Sequence, residues 1–174
     1  MVFLSENQGK VEAFSNYDKL VERLVDEIRT SNHTVLLTSR YIDNKVIDSI
    51  FKAGNRGVKS RIIMAKENLE NKINKLSMLL SPTLVLSLLE YFNDPNLDEI
   101  IRDGNVPFNF CIIDKNQCFF ELPSVGNQNF SIAFYITDDE IGERFTKIFN
   151  ILWESAESKS VPEFFKMLNK MEQG

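Results

Sequence analysis

Two short runs rich in apolar and β-branched residues, His33–Ser39 (HTVLLTS) and Val58–Ala65 (VKSRIIMA), flank a stretch of helical periodicity, and this pairing constrains the fold more than any other feature. Between them Val46, Ile47, Ile50 and Phe51 recur at the spacing of one buried helix face. Asp43 is placed to cap that helix at its start, and Gly54 or Gly57 to end it. Strand, helix and strand in so few residues predict a βαβ unit, with parallel strands joined by a right-handed crossover.

The flanking sequence extends this pattern. Ser15–Arg29 carries a helical stripe of Leu20, Val21, Leu24, Val25 and Ile28, with Ser15 or Asn16 as its cap. Asn68–Leu80 and Pro82–Phe92 read as helices, the second starting with Ser81 as cap and Pro82 as first helical residue. Asn96–Gly104 (NLDEIIRDG) reads as a short helix closed by Gly104. The final third holds three strand-like runs, VPFNFCIID, QCFFELP and FSIAFYIT, with Lys115 and Asn116 as the tight turn between the first two. An amphipathic helix follows from Asp138 to Ala156, capped by Thr137 or Asp138, with Ile141, Phe145, Ile148, Phe149, Leu152 and Trp153 on one face. A short helix around Phe164–Met171 closes the chain. The expected architecture is α/β: one domain over residues 1–174, with a core of about 15–156 and a C-terminal helical tail over 157–174. Its sheet is mixed, with helices on both faces.

Charge and motif content narrow the function. The net charge of −5 argues against global attraction to a nucleic-acid backbone, so no direct nucleic-acid binding is expected, and Arg56, Lys59 and Arg61 read as solvated surface. Cys111 and Cys118 fit no metal motif or disulfide framework and read as buried, inert thiols in a reducing, cytoplasmic setting. The first residues lack the features of a signal peptide, and no run is long and apolar enough for a membrane span. Asp138, Asp139 and Glu140 are better explained by helix capping than by metal binding, and neither a metal nor a cofactor is expected. The one histidine, His33, lies in a connector and reads as structural or exposed. No nucleotide-binding loop, nucleophile elbow or zinc-protease motif is present.

The order of parts resembles a phospholipase D-like domain over roughly residues 17–156. The carriers are a strand ending near TSRY, the turn and strand NRGVKSRIIMA, an apolar strand ending in Asp114, and the late helix ending in FNILW. The same ending resembles the sensor domains of sugar-responsive archaeal transcriptional regulators. The family's catalytic pattern is H-x-K-x4-D. Aligning its aspartate on Asp114 puts Pro107 at the histidine position and Asn109 at the lysine position. Pro cannot attack phosphorus and Asn carries no charge for phosphate, so no catalytic residue and no enzyme activity are expected. The resemblance implies a non-catalytic sensor domain in signalling or transcriptional regulation, working as a homodimer with a small polar ligand or with a DNA-binding or signalling partner protein. Candidate ligand residues are Ser39, Arg40, Tyr41, Asn109 and Asp114. The competing readings are an interaction module that binds no ligand and a divergent phosphodiesterase or nuclease.

Overall fold

A computed structural model describes residues 9–40, 43–65, 100–122 and 130–158. The expected helices at 68–80, 82–92 and 164–171 lie outside the described residues. The described elements, in chain order, are β1 (Val11–Phe14), α1 (Tyr17–Thr30), β2 (Thr34–Ser39), α2 (Asn44–Gly54), β3 (Lys59–Ala65), β4 (Ile101–Gly104), β5 (Phe110–Ile113), β6 (Gln117–Leu122), β7 (Ile132–Thr137), α3 (Asp139–Ser155) and β8 (Glu157–Ser158).

All eight strands form one mixed sheet in the order β1-β7-β6-β5-β2-β3-β4-β8. The pairs β2–β3 and β3–β4 are parallel, and the other neighbours are antiparallel. The β2–α2–β3 unit has the parallel pairing that its sequence predicts, and it stands near the centre of the sheet. Alternation along the strands sorts the core into two layers. Val35, Leu37, Ile62, Met64, Cys111, Ile113, Phe119 and Tyr135 face α1 and α2, meeting Leu20, Leu24, Ile28 and Ile50. Ile63, Phe110, Ile112 and Cys118 face the other way, against Phe149 and Trp153 of α3. Helices therefore cover both faces, and the α/β class stands.

The caps follow their chemistry. Asn16 accepts from the Lys19 N–H, Asp43 from Lys45 and Val46, and Asp138 from Ile141, each satisfying donors that a helix start leaves open. Asp138 is thus used in the capping role expected of the acidic run.

Four expectations change. Ile101–Gly104 is a strand paired with β3, not the end of a helix. The Ile62 N–H bonds the Ile100 carbonyl and Ile101 is buried in the core, so sheet pairing overrides a weak local pattern. Gly104 stops no helix. A side chain there would press on Ile63 and Ala156, so glycine lets the strand and its neighbours approach closely. The β5–β6 turn is made by Asp114 and Lys115, with φ of 48° and 75°, rather than by Lys115 and Asn116. Finally, the sheet extends past the expected core at both ends, through β1 before residue 15 and β8 after residue 156. Both are edge strands too short to stand out from their surroundings.

Candidate functional site

A pocket opens between α1, α2 and the sheet. Its walls are apolar and come from Leu20, Val21 and Leu24 of α1, Val46 and Ile47 of α2, and Leu37, Ile62, Met64, Cys111, Phe119 and Ala133 of the sheet. The cavity has a volume of about 50 Å³. Its polar lining residues are Tyr17, Thr38, Ser39, Asp43, Asn109 and Glu121. Tyr17 and Asp43 lie at the starts of α1 and α2, Ser39 ends β2, Asn109 precedes β5, and Glu121 lies near the end of β6. The polar groups thus gather beyond the carboxyl ends of central strands, where open α/β sheets hold ligands.

The rim is tied together by hydrogen bonds. The Asn109 amide donates to a Glu121 carboxylate oxygen at 2.9 Å, and its Oδ1 accepts the Arg40 main-chain N–H at 2.7 Å. The Glu121 N–H returns a bond of 2.9 Å to the Asn109 carbonyl. Across the mouth the Tyr17 hydroxyl donates to Asp43 at 3.1 Å. Thr38 is fully buried; its hydroxyl donates to the Phe108 carbonyl and accepts the Phe110 N–H, both at 3.0 Å, and so fixes the main chain on either side of Asn109.

The five residues singled out by sequence separate into three groups. Ser39 and Asn109 line the pocket. Arg40 joins through its main chain, while its side chain is exposed and does not line the pocket. Tyr41 lies outside the described residues. Asp114 sits at the other end of β2, beside Thr34, because β5 runs antiparallel to β2. Ser39 lies five steps along β2 from Thr34, roughly 16 Å at a strand's rise per residue.

There Asp114 acts on the main chain. One carboxylate oxygen accepts the N–H of Asn32 at 2.8 Å; the other accepts those of His33 at 2.8 Å and Thr34 at 2.9 Å. Partial burial opposes its ionisation, but the N–H groups of Thr34, Asn32 and His33 outweigh that and hold the carboxyl below its ordinary value. His33, the single histidine, is exposed at this same end, remote from the pocket mouth.

Other candidates have plain structural roles. Arg56 donates to the carbonyls of Ile28 and Ser31 at the end of α1. Arg61 and Arg102 both lie against the Trp153 ring, 5.3 and 4.4 Å from its centroid. Burial pushes the Cys118 thiol up to about 12 and Cys111 higher still. The two thiols face opposite sides of the sheet and cannot pair. Sequence reasoning missed Tyr17, Asp43 and Glu121 as rim residues. Asp43 had been read only as a cap, and no local signal marks the other two.

No family model matches the chain, and no curated protein does. Solved structures do. TrmBL2, described as an archaeal chromatin protein with a novel mode of DNA binding, is 20% identical with a TM-score of 0.63, over 86% of this chain and 55% of that one. Nuc from Salmonella typhimurium, a phospholipase D family member, is 13% identical with a TM-score of 0.60, over 88% of this chain and all of that one. NucT from Helicobacter pylori is 15% identical with a TM-score of 0.62, over 87% of this chain and all of that one. The chain has a phospholipase D-like fold. It spans about half the length of TrmBL2 and the whole of the two bacterial proteins.

One expectation is overturned here. Net charge argued against direct nucleic-acid binding, yet a protein of this fold is a DNA-binding chromatin protein. Whole-chain charge is too coarse a measure, because contact with nucleic acid depends on where basic groups lie. Among the described residues no helix is long and apolar enough to cross a membrane.

Proposed function

We propose that this chain is a regulatory domain of the phospholipase D-like fold that senses a small ligand and has no phosphoryl-transfer chemistry of its own. The observation that carries this reading is the Asn109 site. At the position aligned with the family's lysine stands an amide whose two ends are engaged by the Arg40 main chain and Glu121, at the mouth of an apolar-walled pocket. Pro107, aligned with the family's histidine, is exposed and offers neither nucleophile nor proton. The lone histidine is at the wrong end of β2 to replace it. Ligand occupancy of the pocket would bear on α1 and α2, whose starts supply Tyr17 and Asp43, and so alter the surface those helices present to a partner.

The test pairs two assays on the purified chain. Hydrolysis of bis(p-nitrophenyl) phosphate should stay at the rate of buffer alone, and a metabolite screen by thermal shift should find a stabilising ligand. A ligand at 100 times its dissociation constant adds about 2.7 kcal/mol to the folded state. Hydrolysis that tracks the protein through purification would reject the non-catalytic reading.

TrmBL2 supports a second reading, in which the domain serves a nucleic-acid-binding regulator. Fluorescence anisotropy with duplex DNA over a salt series checks this directly. Binding that weakens steeply with salt is the expected signature of phosphate contacts.

A further inference from the structure

We infer that the pocket between α1, α2 and the sheet takes the short apolar tail of a small amphiphilic molecule, tail inward, and discriminates against sugars and other polyols. This rests on the sensing role proposed above and names the class of its ligand.

The space exists because the sheet carries a small side chain next to large ones. Across β6 and β7 the Phe119 and Tyr135 rings pair, 4.6 Å apart, and fill the face that α1 covers. The next residue of β7 on that face, nearer the mouth, is Ala133, fully buried yet only a methyl in size. Leu24 of α1, Val46 of α2 and Ile62 of β3 supply walls around it, and all three are buried. An apolar cavity of about 150 Å³ holds benzene, so a third of that volume suits about two or three carbon atoms. The 50 Å³ here therefore fits the end of a chain rather than a whole ring.

The walls also decide what cannot enter. Aliphatic side chains offer no hydrogen bond, so each hydroxyl of a sugar set against them is stripped of water without compensation. The Thr38 hydroxyl, buried in the lining, already donates to the Phe108 carbonyl and accepts the Phe110 N–H. The Cys111 thiol is only a weak donor. Ser39, Asp43 and Asn109 stand instead at strand ends and a helix start. A molecule with one polar end keeps that end among them and buries the other. The expectation of a small polar ligand is thereby amended: polar contact is confined to one end.

Two sets of uncharged probes test this. Ethanol, 1-propanol, 1-butanol and 1-pentanol share a head and differ in tail; propane-1,3-diol and glycerol keep the carbons of 1-propanol and add hydroxyls. Each is titrated into the purified chain, with binding read from the methyl resonances of Leu20, Leu24 and Val46 and folding from the melting temperature. Affinity should rise about fourfold per added methylene and level off at about three or four carbons, where the cavity is full. Glycerol should bind about tenfold or more weakly than 1-propanol, with the diol between them. Ile62→Val, which removes one methyl from the wall, should move the plateau to a longer alcohol, and Ala133→Val, which narrows the pocket, to a shorter one. If Ala133→Val does not fold, the milder Ile62→Val carries the test. Affinity indifferent to tail length, or glycerol binding as well as 1-propanol, would overturn the inferred ligand class while a stabilising metabolite would keep the sensing reading in place. A plateau unmoved by the substitutions would place binding elsewhere and reject the inference. No response to any of the six probes in the folded protein would overturn the pocket as a site for apolar tails; together with a metabolite screen that finds nothing, it would overturn the sensing reading as well.

Discussion

Asp114 spends its whole carboxylate on the main chain that begins β2, and this makes its contribution measurable. Asp114→Asn keeps the size but turns one acceptor into a donor aimed at an N–H. Hydrogen bonds to a charged group contribute about 1.5–3 kcal/mol. The substitution should therefore lower unfolding free energy by about 2 kcal/mol at neutral pH, read from urea denaturation. Its pH dependence has a definite sign. The folded-state carboxyl lies below its ordinary value, so the contribution is complete above the unfolded-chain value near 4 and declines as pH falls through the folded value. The gap between wild type and variant should close in acid; a gap that widened there would contradict the assignment. Asp43 offers a second case. Asp43→Ala removes the acceptor for Lys45 and Val46 and should cost about 1 kcal/mol, the usual loss for a helix cap. It also removes the carboxylate that accepts the Tyr17 hydroxyl at the pocket rim.

Among the elements, α3 is held in place by a glycine. A side chain at Gly142 would overlap the Lys115 carbonyl, so the first turn of α3 rests directly on the β5–β6 turn. Gly142→Ala improves local helix propensity yet should destabilise by at least about 2 kcal/mol, since neither main chain can yield cheaply. A thermal melt showing stabilisation would mean that this contact is absent in solution. The elements legible from sequence were those with strong periodicity: α1, α2, α3 and the β2–β3 pair all fall where their apolar spacing puts them. The illegible ones lack such a signal. Val11–Phe14 is a four-residue edge strand, and Ile101–Gly104 owes its extended shape to pairing with β3 rather than to its own residues. The turn at Asp114 was displaced by one residue because Asp, like Asn, tolerates positive φ, and composition does not say which position takes it.

Across the whole molecule, the two thiols report on global integrity. Cys111 and Cys118 are buried in opposite core layers with their ionisation suppressed. Both should react with a thiol reagent only through opening of the sheet, at a common rate that follows stability when denaturant is varied. Independent rates would mean that the two layers open separately. The site was legible only in part at this scale. Ser39 and Asn109 could be named because strand ends attract ligands, but their convergence with Tyr17, Asp43 and Glu121 depends on five separate elements. Asp114 was singled out because it aligns with the aspartate of the H-x-K-x4-D pattern, in the same run as Asn109. The two flank β5 and so lie at opposite ends of the sheet, and the antiparallel pairing of β5 with β2 puts Asn109, not Asp114, at the end where Ser39 lies. That pairing also bears on how the chain is made. β2 bonds on one side to β3, close by in sequence, and on the other to β5, with Thr38 and Phe110 separated by 72 positions. A nascent chain that has emerged only as far as β4 has the central βαβ unit with an open, strongly apolar edge. The sheet can close only once the last third has been synthesised, so the growing polypeptide must shield that edge, by its own later segments or by a chaperone, for as long as translation takes.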